Sequence, residues 1–126
     1  RGVDVITVAS LAFKRFLEIA EKLNINVKII TDNDGDVAAL KTKYKDYWSL
    51  PNIEICFDTD EKYKTLEPQL LKVNSLAILN KALGTKYTIE EDLCAYMTRN
   101  KTECALRLFS TEEDFKIPEY IKNAIK

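Results

Sequence analysis

Histidine is absent from the 126 residues, and that gap removes several chemistries. Ser-His and Cys-His nucleophilic pairs, histidine-ligated metal nucleases and Cys/His zinc fingers all need an imidazole, so none can be built from this chain alone. Cysteine is scarce as well. Cys56, Cys94 and Cys104 are odd in number and lack CxxC spacing, which fits reduced, mostly buried thiols in a cytoplasmic protein better than a disulfide framework. A basic excess is also missing: charged residues make up 31% and nearly cancel to a net charge of -1, so any contact with nucleic acid must be local. No apolar run approaches the roughly 20 residues needed to span a bilayer, and no charged-then-apolar leader opens the chain. A soluble, cytoplasmic protein with no membrane partner is therefore expected. The sequence lacks internal repeats, low-complexity segments and long linkers. It begins at Arg1 without an initiator Met and enters a strand-like run almost at once, which suggests a piece of a longer polypeptide.

A hydrophobic content of 46% over this length is ample for one buried core, so residues 1–126 are read as a single domain. Residues 3–8, rich in Val and Ile, read as a strand that ends at Ala9 and Ser10, a plausible helix N-cap. Phe13, Phe16, Leu17, Ala20 and Leu23 then recur at helical spacing, with Lys14, Arg15, Glu18, Glu21 and Lys22 on the other face. Residues 27–31 form a second predicted strand. Its polar exit runs from Asp32 to Asp36, with Gly35 supplying backbone freedom. A helix marked by Val37, Leu40, Tyr44 and Tyr47 or Trp48 is expected to reach Pro51 and Asn52, followed by a strand over residues 53–57.

That alternation predicts an α/β fold with a parallel sheet, right-handed crossovers and ligand sites beyond the carboxyl ends of the strands. The rest reads as mainly helical. Leu76, Leu79, Ala82 and Leu83 mark a helix ended by Gly84, and Ile89, Leu93, Tyr96 and Met97 mark another. Thr88 with Glu91 has capping-box spacing, as does Asn100 with Glu103, which places a helix start near Lys101. Ala105, Leu108 and Phe109 are its expected buried stripe. Pro118 is expected to open a last helix through Lys126.

The acidic strand exit carries the chemistry. Asp32 and Asp34 are two apart, so a persisting strand would project both carboxylates to one side, where a hard divalent cation such as Mg²⁺ or Mn²⁺ can share them. Like charges held this close raise one another's pKa unless a cation neutralises them. The competing reading is a solvated turn, with Asp36 as N-cap of the next helix and Asp34 favouring the turn. Placement at a strand end, together with a third carboxylate further on, favours metal. Lys101 in the first turn of a helix opposes the macrodipole, a cost that a nearby anion would offset; it reads equally well as an ordinary exposed lysine.

In sequence order, Thr31-Asp32-Asn33-Asp34-Gly35-Asp36, then Thr65-Leu66-Glu67, then Asn100-Lys101-Thr102-Glu103-Cys104-Ala105 resembles the Toprim domain of OLD-family (overcoming lysogenization defect) ATP-dependent endonucleases. The helix around Phe13-Lys14-Arg15-Phe16-Leu17 looks like the one that precedes the family's DxD strand. The resemblance spans most of the chain. It implies a Toprim-like Rossmannoid sheet flanked by helices and a two-metal phosphodiester hydrolase acting on DNA. Asp32 and Asp34 would be the DxD ligands, Glu67 a further ligand, Asp36 an additional carboxylate at the metal site, and Lys101 would face the scissile phosphate. Mg²⁺ or Mn²⁺ is the implied cofactor, and no histidine is needed. The family's pattern also includes a glutamate on an earlier strand, which these residues do not supply, so the N-terminal strand of the full domain is expected to be missing and the chain alone inactive. The family joins an ATPase domain upstream, whereas no G-x-x-x-x-G-K-S/T loop occurs here; that domain, elsewhere in the same polypeptide, is an expected partner, as is a homo-oligomer formed through the full-length protein.

Several other residues have two readings. Asp58 and Asp60 form a second DxD that ranks behind Glu67 as a ligand source and reads more readily as an acidic loop with Glu61. Thr65 is a candidate to orient Glu67 or a turn former. Lys14 and Arg15 read as a solvated face before a phosphate contact. Tyr44, Tyr47 and Trp48 read as core before base-stacking groups. Two further functions keep the same acidic exit: an aspartyl-phosphate-forming receiver- or phosphatase-like domain, and a non-catalytic assembly module whose acidic loop is structural and whose helical half presents a surface to another domain or subunit.

Overall fold

The computed structural model describes residues 3–8 and 12–126. Phe13–Leu23 forms α1, ended by Asn24 in the left-handed region (φ 51°), whose N–H reaches the carbonyls of Ala20 and Glu21. Val27–Ile30 forms β1 and Val37–Lys43 forms α2, while Ile53–Cys56 forms β2, parallel to β1 with Val27 opposite Ile53 and Ile30 opposite Cys56. Five helices follow among the described residues: α3 (Leu66–Val73), α4 (Leu76–Leu83), α5 (Glu90–Arg99), α6 (Lys101–Ser110) and α7 (Glu119–Ala124). The fold is α/β, a small parallel sheet flanked by helices with a helical second half.

Buried residues gather in two clusters where one core was expected. Leu17 of α1, Leu40 of α2, Tyr44, Tyr47 and Ile53 form the first, packed against Phe13, Phe16, Val27, Ile29 and Ile55. Alternation along the strands sends Val27 and Ile29 to this face and Lys28 to the other, where the Lys28 ammonium donates to the Asn123 carbonyl of α7 at 3.3 Å. The second cluster joins Leu70, Leu79, Leu83, Leu93, Met97 and Cys104 from α3 to α6. No helix among the described residues is long and apolar enough to cross a membrane.

Several sequence expectations change. Residues 3–8 are not a strand: their side chains are exposed, Val5 at 87%. β-branching favours extended backbone, but a strand also needs a neighbour's hydrogen bonds, and among the described residues β1 is paired with β2 alone in a two-stranded sheet. The expected cap at Ser10 lies outside the described residues, and Ala12 stands at the start of α1. Leu23 is exposed. α2 stops at Lys43, and residues 44–49 continue as turns that still bury Tyr44 and Tyr47; Trp48 packs on Phe57 at 5.9 Å between centroids but stays partly exposed. α3 was not anticipated; its Pro68 falls in the first turn, where a helix tolerates proline. Ile89, not Thr88, precedes α5. Pro118 is the cap rather than the first residue of α7, which ends at Ala124.

The stripe expected on α6 is also redrawn. Cys104 is the buried residue and Leu108 is half-buried, whereas Ala105 is exposed and Phe109 is 94% exposed. Chemical unfolding therefore separates two leucine- and phenylalanine-sized truncations. Leu79→Ala, at a fully buried position, is expected to lose about 2–5 kcal/mol, and Phe109→Ser to stay within about 0.5 kcal/mol of the parent. Equal losses would contradict this packing.

Candidate functional site

β1 ends at Ile30, although the Thr31 N–H still bonds the Cys56 carbonyl at 3.1 Å. The chain then turns instead of continuing as a strand. Asp34 and Gly35 both have positive φ, 52° and 80°, so the alternation that would have aligned Asp32 with Asp34 does not persist. Aspartate tolerates the left-handed region better than most side chains, and glycine adopts it freely. A Cβ on Gly35 would also meet the Lys64 side chain at 2.9 Å. Asp36 turns to α2, where its Oδ1 accepts from the Ala39 N–H at 2.9 Å, the capping role the competing reading gave it. Glu61 supports the same helix end, accepting from the Val37 N–H at 2.8 Å.

The turn is fixed from inside by Asn33, only 2% exposed. Its Nδ2 donates to the carbonyls of Asp58, Asp60 and Tyr63 at 2.7, 3.1 and 3.2 Å. Its Oδ1 accepts from the Gly35 N–H at 2.7 Å. Asp34 adds a backbone bond to the Lys64 carbonyl at 3.1 Å. The acidic turn is thereby tied to the loop that leaves β2.

That loop supplies the opposing acid. Glu67 lies in the first turn of α3 and is almost fully buried, a position where the helix dipole favours a carboxylate. Thr65 precedes α3 without a side-chain cap bond. Lys101, the first residue of α6, brings its Nζ to 3.7 Å from Glu67 Oε1, with the lysine side chain 66% exposed and the glutamate 11%. Burial pushes the Asp32 carboxyl above the usual aspartate range, the charges of Asp34 and Glu67 push it further, and Lys101 opposes them. Asp32, Asp34, Glu67 and Lys101 therefore share one electrostatic neighbourhood. They do not yet make a coordination sphere: among the described residues, no three acidic, cysteine or histidine side chains converge closely enough to hold a metal ion. The donors are all hard oxygens, which suits Mg²⁺ or Mn²⁺, but their spacing is open.

The second DxD is committed elsewhere. Asp58 Oδ1 accepts from the Asp60 N–H and its carboxylate pairs with Lys72 at 3.1 Å, while Asp60 Oδ1 accepts from the Lys62 N–H. These are the bonds of a structured acidic loop. Lys14 and Arg15 lie exposed on α1. All three cysteines are free, and burial, the leading cause at each, raises their thiol pKa values, which leaves them poor nucleophiles.

Sequence reading missed three side chains around the acids: Asn33, Gln69 and Tyr120. Gln69 is fully buried in α3, and the Tyr120 hydroxyl on α7 donates to its Oε1 at 2.7 Å. Burial first, then the carboxylates of Asp32 and Asp58, push the Tyr120 hydroxyl up to about 12, so it is a phenol and a donor at neutral pH. Only Asn33 left a signal, since an amide in a turn readily bonds a backbone group two residues on.

Fold and site together define an α/β domain whose charged groups collect at the carboxyl ends of parallel strands, where such folds place their ligands. Residues 1–34 match the family model described as "Overcoming lysogenization defect protein-like, TOPRIM domain". The match ends on Asp34 and so includes Asp32 and Asp34, whereas Glu67 and Lys101 lie beyond it. No curated protein and no solved structure matches the chain.

The strained protonation of Asp32 has a measurable sign. Its folded-state pKa lies above the unfolded value, so protonation favours the fold: that stability is present below about pH 4 and is lost as pH rises through the folded value. With chelator present at pH 7, Asp32→Asn is expected to raise the melting temperature, and the gain should vanish as the pH falls below the ordinary aspartate range. A gain that persists unchanged in acid would assign it to another cause.

Proposed function

We propose that this chain is the metal-binding part of a Toprim-type DNA endonuclease of the OLD family, hydrolysing phosphodiester bonds with Mg²⁺ or Mn²⁺. One observation carries the reading. Lys101 on α6 approaches Glu67 on α3 at 3.7 Å, and the charges of Asp34, Glu67 and Lys101 all act on the Asp32 carboxyl after β1. The match of residues 1–34 to a TOPRIM model supports it from an independent direction.

Bound divalent cations supply the Lewis acidity that phosphodiester hydrolysis needs. The chain's own side chains then divide the work. Asp32, Asp34 and Glu67 provide the anionic oxygens, while Asp36, the additional carboxylate expected at the metal site, caps α2 and holds the exit of the turn. Asp32 carries charge that its surroundings disfavour, and a cation would relieve it. Lys101 stands 3.7 Å from Glu67, too far for a hydrogen bond, and is exposed enough to offer its ammonium to a phosphate oxygen. DNA is the substrate in this reading. ATP hydrolysis belongs to a domain elsewhere in the same cytoplasmic polypeptide, the glutamate of an earlier strand belongs to the rest of the Toprim domain, and any self-association runs through the full-length protein.

Calorimetric titration with Mn²⁺ tests the ligand set. Asp32→Ala and Glu67→Ala are expected to weaken binding at least about tenfold, roughly the effect of losing one well-placed charged contact. Lys101→Ala should bind no worse than the parent, yet in the full-length protein it should lower plasmid cleavage by about 10²–10³-fold. Equal Mn²⁺ binding by the parent and both acid variants would remove the metal assignment. Full cleavage by full-length Asp34→Ala would favour an assembly module instead.

A further inference from the structure

The hydrogen bonds inside the acidic turn do not stop at Asn33. The Tyr63 carbonyl that accepts from Asn33 Nδ2 at 3.2 Å also accepts from Gln69 Nε2 at 2.9 Å. Gln69 Oε1 in turn accepts from the Tyr120 hydroxyl at 2.7 Å. At the other end, Asn33 Oδ1 takes the Gly35 N–H at 2.7 Å. A continuous series of polar contacts therefore leads from α7, through the buried side chain of Gln69 and the loop after β2, to the backbone of the turn that carries Asp32 and Asp34.

From this connection we infer that Tyr120 and Gln69 are positioning residues, which hold the acidic turn in its observed conformation, the one from which the proposed metal site would be built. The inference rests on the proposed metal site but names residues outside the motifs that suggested it. The physical reason is geometric. The turn has two consecutive residues at positive φ, a conformation the backbone leaves readily unless surrounding bonds over-determine it. Asn33 shares its two amide hydrogens among three carbonyls, of which Tyr63's is the longest at 3.2 Å, and Gln69 anchors that carbonyl with a shorter bond of its own. Gln69 has a side-chain rotation of its own to lose, and Tyr120 fixes it by occupying the amide oxygen. Buried networks of this kind act as a unit, so removing a distant member loosens the rest.

Residue-resolved amide hydrogen exchange on the chain, without metal, reads the coupling directly. Tyr120→Phe deletes only the hydroxyl and keeps the ring. It should speed exchange at the Gly35 and Asp34 amides by about tenfold or more, relative to buried amides of α5, and in the same protein weaken Mn²⁺ binding about threefold or more. Ile121→Val loosens α7 by packing alone and should spare the Gly35 amide. A uniform rise across all amides, the signature of lost global stability, would overturn the inference, as would unchanged exchange at Gly35 or parental Mn²⁺ affinity in Tyr120→Phe. Asp32→Ala distinguishes the two levels of failure. If it abolishes Mn²⁺ binding while Tyr120→Phe binds like the parent, the site stands and the positioning role falls. If the parent and Asp32→Ala bind alike, the metal reading falls and takes this inference with it.

Discussion

The side-chain amide of Asn33 is the constraint on which the site depends. It is buried between two charged neighbours, and its bonds to the Asp58, Asp60, Tyr63 and Gly35 backbone join the exit of β1 to the exit of β2. Without such a tie, a turn bearing Asp32, Asp34 and Asp36 would be driven outward by its own charge and by the ease with which water solvates carboxylates. With it, Asp32 is half-buried close enough to Asp34 and Glu67 for all three charges to be felt at one carboxyl. The strands contribute little area, since β1 and β2 have four residues each. Their service is to deliver two loops side by side.

Helix ends complete the electrostatics. Glu67 sits where α3 presents its positive end, and Lys101 sits at the start of α6, where the dipole disfavours a cation. Their 3.7 Å approach offsets part of that cost, but the contact is long and the lysine is exposed. A pair of this kind contributes little to stability. It keeps a cation beside an acidic cluster, which a merely solvated acidic loop would not need. The Asp58 pair with Lys72 shows the contrast: it is shorter, at 3.1 Å, and its carboxylate also closes a turn, so that acid is structural.

Much of this was legible in the sequence where the signal is local. The helical spacing of Leu17 and Ala20, the strand-like run around Ile29, Gly84 as a helix stop and Asn100 before α6 all rest on neighbours within one or two turns. Asp32, Asp34, Glu67 and Lys101 stood out through a family's motif order; Lys101 approaches Glu67 at 3.7 Å and the other charges act on Asp32, but no three ligands converge among the described residues. What could not be read depends on distant partners. Residues 3–8 look like a strand because their side chains favour extended backbone, yet pairing is decided by another segment. Phe109 fits the helical period of α6, but the face that packs is set by α4 and α5. Gln69 and Tyr120 are 51 positions apart, and nothing in either neighbourhood announces the other. Asp36 read both as a ligand and as a cap, and only the bond to Ala39 shows it in the second role.

The central claim is that a divalent cation belongs among Asp32, Asp34 and Glu67. Paramagnetic broadening by substoichiometric Mn²⁺ in a two-dimensional NMR spectrum of the chain locates such a cation without assuming any activity. The account predicts that the amides of residues 32–36, Glu67 and Lys101 lose intensity first. Broadening that begins instead at Glu90, Glu91 and Asp92, the acidic first turn of α5, with residues 32–36 untouched, would contradict it.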